Sequence, residues 1–374
     1  MPNFPLKTLV AGAVGVTLAL GAVATAQAQT KLTYGSYLPA THVIHTYGLE
    51  PFFKRVEADT KGSLHWELFS GGAMGGPKEA LQTVKDDVVD SALIVDVYLK
   101  RDLPVSVVIA DVGLLVDEPL VYAGAINETF LLNCPECLAE SAKHNKVGLA
   151  RYNTDIFYIM CNKEVSTLDG LKGIKIRVGG RHGPLMQDLG ATPVSITTAE
   201  MYEALQRGQA DCTTGSTAWL NSYGLKDVIK GVTNYPLGAY IGGEGMNMNK
   251  DRWQSLSDAE RKAIVKNLPK LVSDTVIAYV AEGKNALDEA VKNNGVKLLE
   301  PDAALKTAIA NFVKGEEKIS AEKGREAGVK DPEKILATLN ASVVKWRKII
   351  ADIKGDPAKF EKALWDEIFS KLKV

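Results

Sequence analysis

Gly173-Ile-Lys-Ile-Arg-Val178, Leu189-Gly-Ala-Thr-Pro-Val194 and Glu200-Met-Tyr-Glu-Ala-Leu-Gln-Arg-Gly208 read, with the stretch between the first two, as strand, helix, strand, helix. The first strand places Arg177 within an apolar alternation. A guanidinium in a half-buried strand is costly unless an anion meets it. Its planar fork of donors fits a carboxylate two-handed. The motif therefore reads as built to hold an organic acid, and its surroundings decide whether that acid is bound or transformed.

Outward from this motif the same grammar recurs. Lys31–Tyr37 alternates like a strand, Pro39-Ala-Thr-His42 turns, and a helix runs to about Thr60, with Pro51 starting a fresh turn inside it. Leu64–Phe69 is the next strand, Ser70–Gly76 a glycine-rich loop, Pro77–Lys85 a helix and Ser91–Val95 an apolar strand. This βαβαβ order predicts an α/β protein with a parallel sheet and helices on both faces. Val147–Cys161, Gly173–Gly179, Thr192–Ile196 and Ala210–Thr214 supply a second set of strands, separated in their later part by helices. Thr197 and Glu200 form a capping box. Glu-Ala-Leu-Gln occurs at 79–82 and at 203–206, each time followed by an aspartate (Asp90, Asp211) and then a strand, which suggests two lobes of similar design. From Ser255 the pattern is helical, over about 258–294, 302–325, 332–354 and 356–372, with a second capping box at Ser257 and Glu260.

The amino terminus reads as a secretory leader: Lys7, an uncharged run from Leu9 to Ala24, and small-x-small patterns at Ala24-Thr-Ala26 and Ala26-Gln-Ala28. Residues 1–28 are assigned to this signal peptide, with cleavage expected after Ala26 or Ala28. The exported remainder is about 346 residues, enough for roughly two domains. A formal net charge of −1 argues against a nucleic-acid partner and against a polybasic membrane-surface protein. Export permits disulfides, and Cys134 with Cys137 is the expected structural pair; Cys161 and Cys212 are left as buried thiols or a second bridge. No Gly-x-Ser-x-Gly elbow, phosphate loop or His-Glu-x-x-His is present, so neither catalytic residues nor a metal or cofactor is assigned.

The run Leu168-Asp-Gly-Leu-Lys-Gly-Ile-Lys-Ile-Arg-Val178, with Leu189–Val194 and Glu200–Gly208, closely resembles the solute-binding subunits of tripartite ATP-independent periplasmic (TRAP) transporters of the dicarboxylate-binding, DctP type. The likeness covers roughly residues 31–270. It implies a periplasmic binding fold of two α/β lobes around a central cleft, a long helix spanning both, and a helical C-terminal tail. The boundaries expected are 29–151 with 241–300 for lobe I, 152–240 for lobe II and 301–374 for the tail. The resemblance also implies that Arg177 pairs with the ligand carboxylate, and that the ligand passes to small and large membrane permease subunits driven by an ion gradient.

Two departures from the family pattern bear on the ligand. Phe157 or a neighbour falls where many members carry a second ligand arginine. Asp211-Cys-Thr-Thr-Gly-Ser216, followed by Trp219, replaces a more polar segment. Arg181 is a candidate second cation, with a solvent-exposed helix-start arginine as the alternative. Position at the lobe edges adds His42, Asp96, Tyr152, Asn153, Tyr240 and Glu244, and the hydroxyls of Thr213, Thr214 and Ser216 are candidates for a 2-oxo or hydroxyl group. The reading is a periplasmic receptor for a bulky or aromatic monocarboxylate or 2-oxo acid. Its rivals are a C4-dicarboxylate receptor of the same family, a receptor serving a sensor or an ATP-driven importer, and an exported enzyme on a two-lobed scaffold.

Overall fold

The computed structural model describes residues 1–3 and 29–373, so the leader's apolar run and both cleavage patterns lie outside the described residues. Strands β1 (Thr30–Gly35), β2 (Leu64–Phe69) and β3 (Ser91–Ala92) form a parallel sheet in the order β2-β1-β3. The helix between β1 and β2 has a first part, Ile44–Leu49, wound as a π-helix, and an α-helical part, Glu50–Asp59. The change comes beside Pro51, which has no N–H to give to the ladder; the amide of Glu50 reaches back to the carbonyl of His45. The third strand is shorter than its apolar run predicts. After Ala92 the chain bridges Ile94 to Glu244 on another strand and then turns through Asp96–Tyr98.

That other strand belongs to a long antiparallel ribbon of β4 (Lys146–Asn153) and β10 (Ile241–Asn249). Beyond Asn153 the chain leaves this ribbon and builds a second large sheet, of six strands, in the order β11-β9-β5-β8-β6-β7. Its members are β5 (Phe157–Cys161), β6 (Lys175–Arg177), β7 (Thr192–Val194), β8 (Cys212–Ser216), β9 (Gly231–Thr233) and β11 (Lys297–Leu299). Here β11, in the stretch the sequence reading gave to lobe I, pairs with β9 of the second sheet. The ribbon crosses between the sheets twice, once outward after β4 and once back before β10.

The helix Asp258–Asn293 spans both units. Near its start Ser63 donates to Glu260 and Asn267 donates to Asp59 of the first unit. Near its end Thr217 donates to the Gly283 carbonyl and Lys226 pairs with Glu289, both from the second unit. The tail carries helices Ala303–Val313, Glu316–Glu326, Pro332–Ile353 and Pro357–Glu367. The single helix predicted over 302–325 is broken at Gly315, whose φ of +89° lies in the left-handed region. Buried Trp346 docks the tail by donating to Glu128 at 2.7 Å. Cys134 is bonded to Cys137, and Cys161 to Cys212, the latter pair facing each other across β5 and β8.

Candidate functional site

Where the two units face one another they leave a cavity lined by residues of both. Arg177 ends β6 and lines this cavity, with only 2% of its surface exposed. Its Nε donates to the Ile196 carbonyl at 3.0 Å and its Nη2 to the Tyr98 hydroxyl at 2.8 Å. Both partners are neutral oxygens. Of the guanidinium's five N–H donors, those on Nη1 meet no protein acceptor among the described residues. A buried cation with neutral partners and donors to spare is poised for an anion from outside the protein.

The walls are aromatic. Trp219 can lie against β8 because residue 215 is glycine; a Cβ there would stand 2.0 Å from the indole ring. The indole meets Phe157 edge-on at 5.2 Å and Tyr223 at 5.7 Å, and the Arg177 guanidinium lies 5.9 Å from its ring centre. Tyr152 and Tyr240, from the crossing ribbon, pack edge-on at 5.9 Å. The two histidines on the cavity wall, His42 and His182, are neutral. Burial pushes His42 down to about 3 and His182 down to about 4, and His182 spends its Nε2 on the Leu237 carbonyl at 2.9 Å. His42 Nδ1 faces the Ile44 amide at 3.2 Å. Its Nε2 faces the Tyr279 hydroxyl at 3.4 Å, and that hydroxyl also accepts from Trp219 Nε1 at 2.8 Å.

Of the residues singled out from sequence, Arg177, Arg181, Phe157, Trp219, Tyr152, Tyr240 and His42 line the cavity. Arg181, however, is held in a bidentate pair by Glu316, with Nε to Oε2 and Nη2 to Oε1 both at 2.8 Å, and Glu316 is fully buried. Asn153 lies off the cavity wall and its amide serves the carbonyls of Pro119 and Thr154. The Thr213 hydroxyl has the Met201 sulfur and the Thr214 carbonyl as alternative acceptors for its proton, and Ser216 Oγ accepts from the Ala218 amide; both sit off the cavity wall with partners in their own lobe. Asp96 accepts from Tyr240 at 2.8 Å behind the wall, where burial pushes its carboxyl up to about 7 against the pull of Arg151 and Tyr240. Glu244 is buried in the ribbon, paired with Lys146 and Arg151.

Sequence reading missed Tyr37, Tyr98, Tyr223, Tyr279, His182 and Thr198 on the wall. Tyr98 carried a faint signal, two residues beyond Asp96 at the end of the third strand. Tyr279, inside the long helix, looks like any core aromatic.

The profile of DctP, bacterial extracellular solute-binding protein family 7, matches residues 34–318. A solute-binding protein of Albidiferax ferrireducens is 26% identical over 252 residues, which is 66% of this chain and 68% of that one. Among solved structures, the fold is shared with a TRAP periplasmic solute-binding protein from Bordetella bronchiseptica holding (R)- and (S)-mandelate, at 23% identity and a TM-score of 0.72, over 84% of this chain and 99% of that one. It is also shared with a TRAP solute-binding protein from Rhodoferax ferrireducens in complex with copurified benzoate, at 18% identity and a TM-score of 0.75, over 86% of this chain and 99% of that one.

Proposed function

Since the chain belongs to family 7 of the bacterial extracellular solute-binding proteins, we propose that it is the periplasmic receptor of a TRAP transporter for a planar, ring-bearing monocarboxylate or 2-oxo acid. The observation that carries this reading is the contrast between two arginines. Arg177 faces the cavity with neutral partners, while Arg181 is neutralised by Glu316. A second ionised carboxylate buried here would lack a cation, at a cost of several kcal/mol. Rings from Phe157, Trp219, Tyr152 and Tyr240 line the same space, and each good stacking partner adds about 0.5–1.5 kcal/mol beyond area burial. The mandelate and benzoate held by proteins of the same fold agree with such a ligand.

In this account residues 29–151 with most of 241–300 close on residues 152–240 around the acid, and the tail braces them. The leader is removed after Ala26 or Ala28, and the loaded receptor delivers its acid to the small and large permease subunits. A thermal-shift panel of organic acids on ligand-stripped protein is the test, because a ligand that binds only the folded state stabilises it by mass action. Aromatic monocarboxylates should raise the melting temperature and be recovered chemically unchanged. Stabilisation by C4-dicarboxylates alone, or turnover of the stabilising acid, would contradict the proposal.

A further inference from the structure

We infer that the Tyr279 hydroxyl is a second recognition point, a fixed hydrogen-bond donor that selects acids carrying an acceptor oxygen on the ring; the inference rests on the aromatic-acid reading above. The direction of the donor follows from its neighbours. The Ile44 amide can only donate, so His42 Nδ1, 3.2 Å away, is the unprotonated nitrogen. Burial keeps the imidazole neutral, so its proton sits on Nε2 and points at the Tyr279 oxygen 3.4 Å away. The indole N–H of Trp219, which also can only donate, reaches the same oxygen at 2.8 Å. Two donors thus occupy the lone pairs of the Tyr279 oxygen. Its own proton meets no protein acceptor among the described residues, and Tyr279 lines the cavity with 1% of its surface exposed.

A buried hydroxyl that can only give its proton rewards an acceptor and penalises a bare C–H. Trp219 sets the spacing. Arg177 lies 5.9 Å from the centre of its ring, while Tyr279 holds its Nε1. Both polar points thus adjoin the same indole on one cavity wall, an arrangement that offers an aromatic acid a cation for its carboxylate and a donor for an acceptor on its ring. A formyl, keto, ether or hydroxyl oxygen qualifies. A methyl group does not.

Calorimetric titration of ligand-stripped wild type and Tyr279→Phe with benzoate and its 3- and 4-formyl, hydroxy and methyl derivatives tests this. Formyl can only accept, and it is close to methyl in size. Wild type should bind the better formyl or hydroxy isomer about tenfold more tightly than its methyl counterpart, and Tyr279→Phe should remove that preference. If Tyr279→Phe does not fold, the wild-type series decides, since methyl isomers binding as tightly as formyl and hydroxy ones would overturn the inference. A preference undiminished in a folded Tyr279→Phe also overturns it while leaving the aromatic-acid reading intact. Absence of binding by every aromatic acid in wild type overturns both.

Discussion

Arg177 and Tyr98 are joined across the two sheets: Arg177 at the end of β6 donates to the Tyr98 hydroxyl at 2.8 Å, and Tyr98 stands just past β3 of the first sheet. The Thr198 amide gives a second hydrogen bond to the same oxygen at 3.1 Å. With two donors arriving, the Tyr98 proton is free for an acceptor beside Arg177, where the ligand carboxylate is proposed to sit. One phenol therefore orients the guanidinium, links the units and, on the proposed reading, offers its proton to the ligand carboxylate.

Tyr98→Phe keeps the ring and removes all three roles of the hydroxyl. Affinity for an aromatic acid should fall about tenfold, mostly through faster release. Stopped-flow fluorescence, with Trp219 in the cavity wall as reporter, measures the release rate. A rate equal to that of wild type would show that the bridge does not hold the closed form.

Arg177→Ala removes the cation that the ligand anion requires. Losing one member of a buried charge pair costs about 3–5 kcal/mol, so binding should weaken at least roughly a hundredfold. Arg177→Lys should restore only part, because an ammonium cannot reproduce the fork. Calorimetry on folded variants is the check, and binding by Arg177→Ala within about threefold of wild type would place the anchor elsewhere.

Arg181 behaves differently in this account. Arg181→Ala strands the fully buried Glu316 and should cost about 3–5 kcal/mol of stability. Arg181→Met with Glu316→Leu, which removes both charges, should recover most of that loss and bind aromatic monocarboxylates within about tenfold of wild type. Denaturant unfolding and calorimetry on the three proteins separate the outcomes. A folded double variant that has lost binding a hundredfold or more would make Arg181 a ligand anchor after all.

Much of this architecture was legible in the sequence, because apolar alternation, prolines and capping boxes are local signals. The Thr197–Glu200 and Ser257–Glu260 boxes start helices where their spacing says they should. Arg177 stood out because a cation within an apolar strand conflicts with its surroundings. The pairing of Arg181 with Glu316 was not legible, since it joins residues far apart in sequence through tertiary packing. The same holds for the wall tyrosines, whose spacing within their own elements matches ordinary core packing. Thr213 and Ser216 carry hydroxyls in a suggestive segment, but burial on the two faces of a central strand leaves them with neighbours in the same lobe.

The buried Asp96 gives a pH signature. Burial pushes its folded carboxyl up to about 7 from the ordinary aspartate value of 3.8, despite Arg151 and Tyr240, while the buried Glu244 adds to the rise. The folded protein therefore holds a proton that the unfolded chain has released, and this contribution is present below about pH 4 and lost as pH rises towards about 7. Asp96→Asn cannot titrate and keeps the neutral form. Its stability relative to wild type should grow between pH 4.5 and 8, by about 3 kcal/mol. Urea unfolding of both proteins across that range reads the difference, and a constant difference would contradict a protonated Asp96 in the folded state.

The central claim is that one carboxylate, carried on an aromatic body, is what the cavity holds. Calorimetric titration of purified, ligand-stripped protein with benzoate, benzoylformate, 4-hydroxybenzoate, succinate and malate tests it most directly. The account predicts micromolar binding of at least one aromatic acid and none of succinate or malate. Micromolar binding of succinate or malate, with no binding of the aromatic acids, would contradict it.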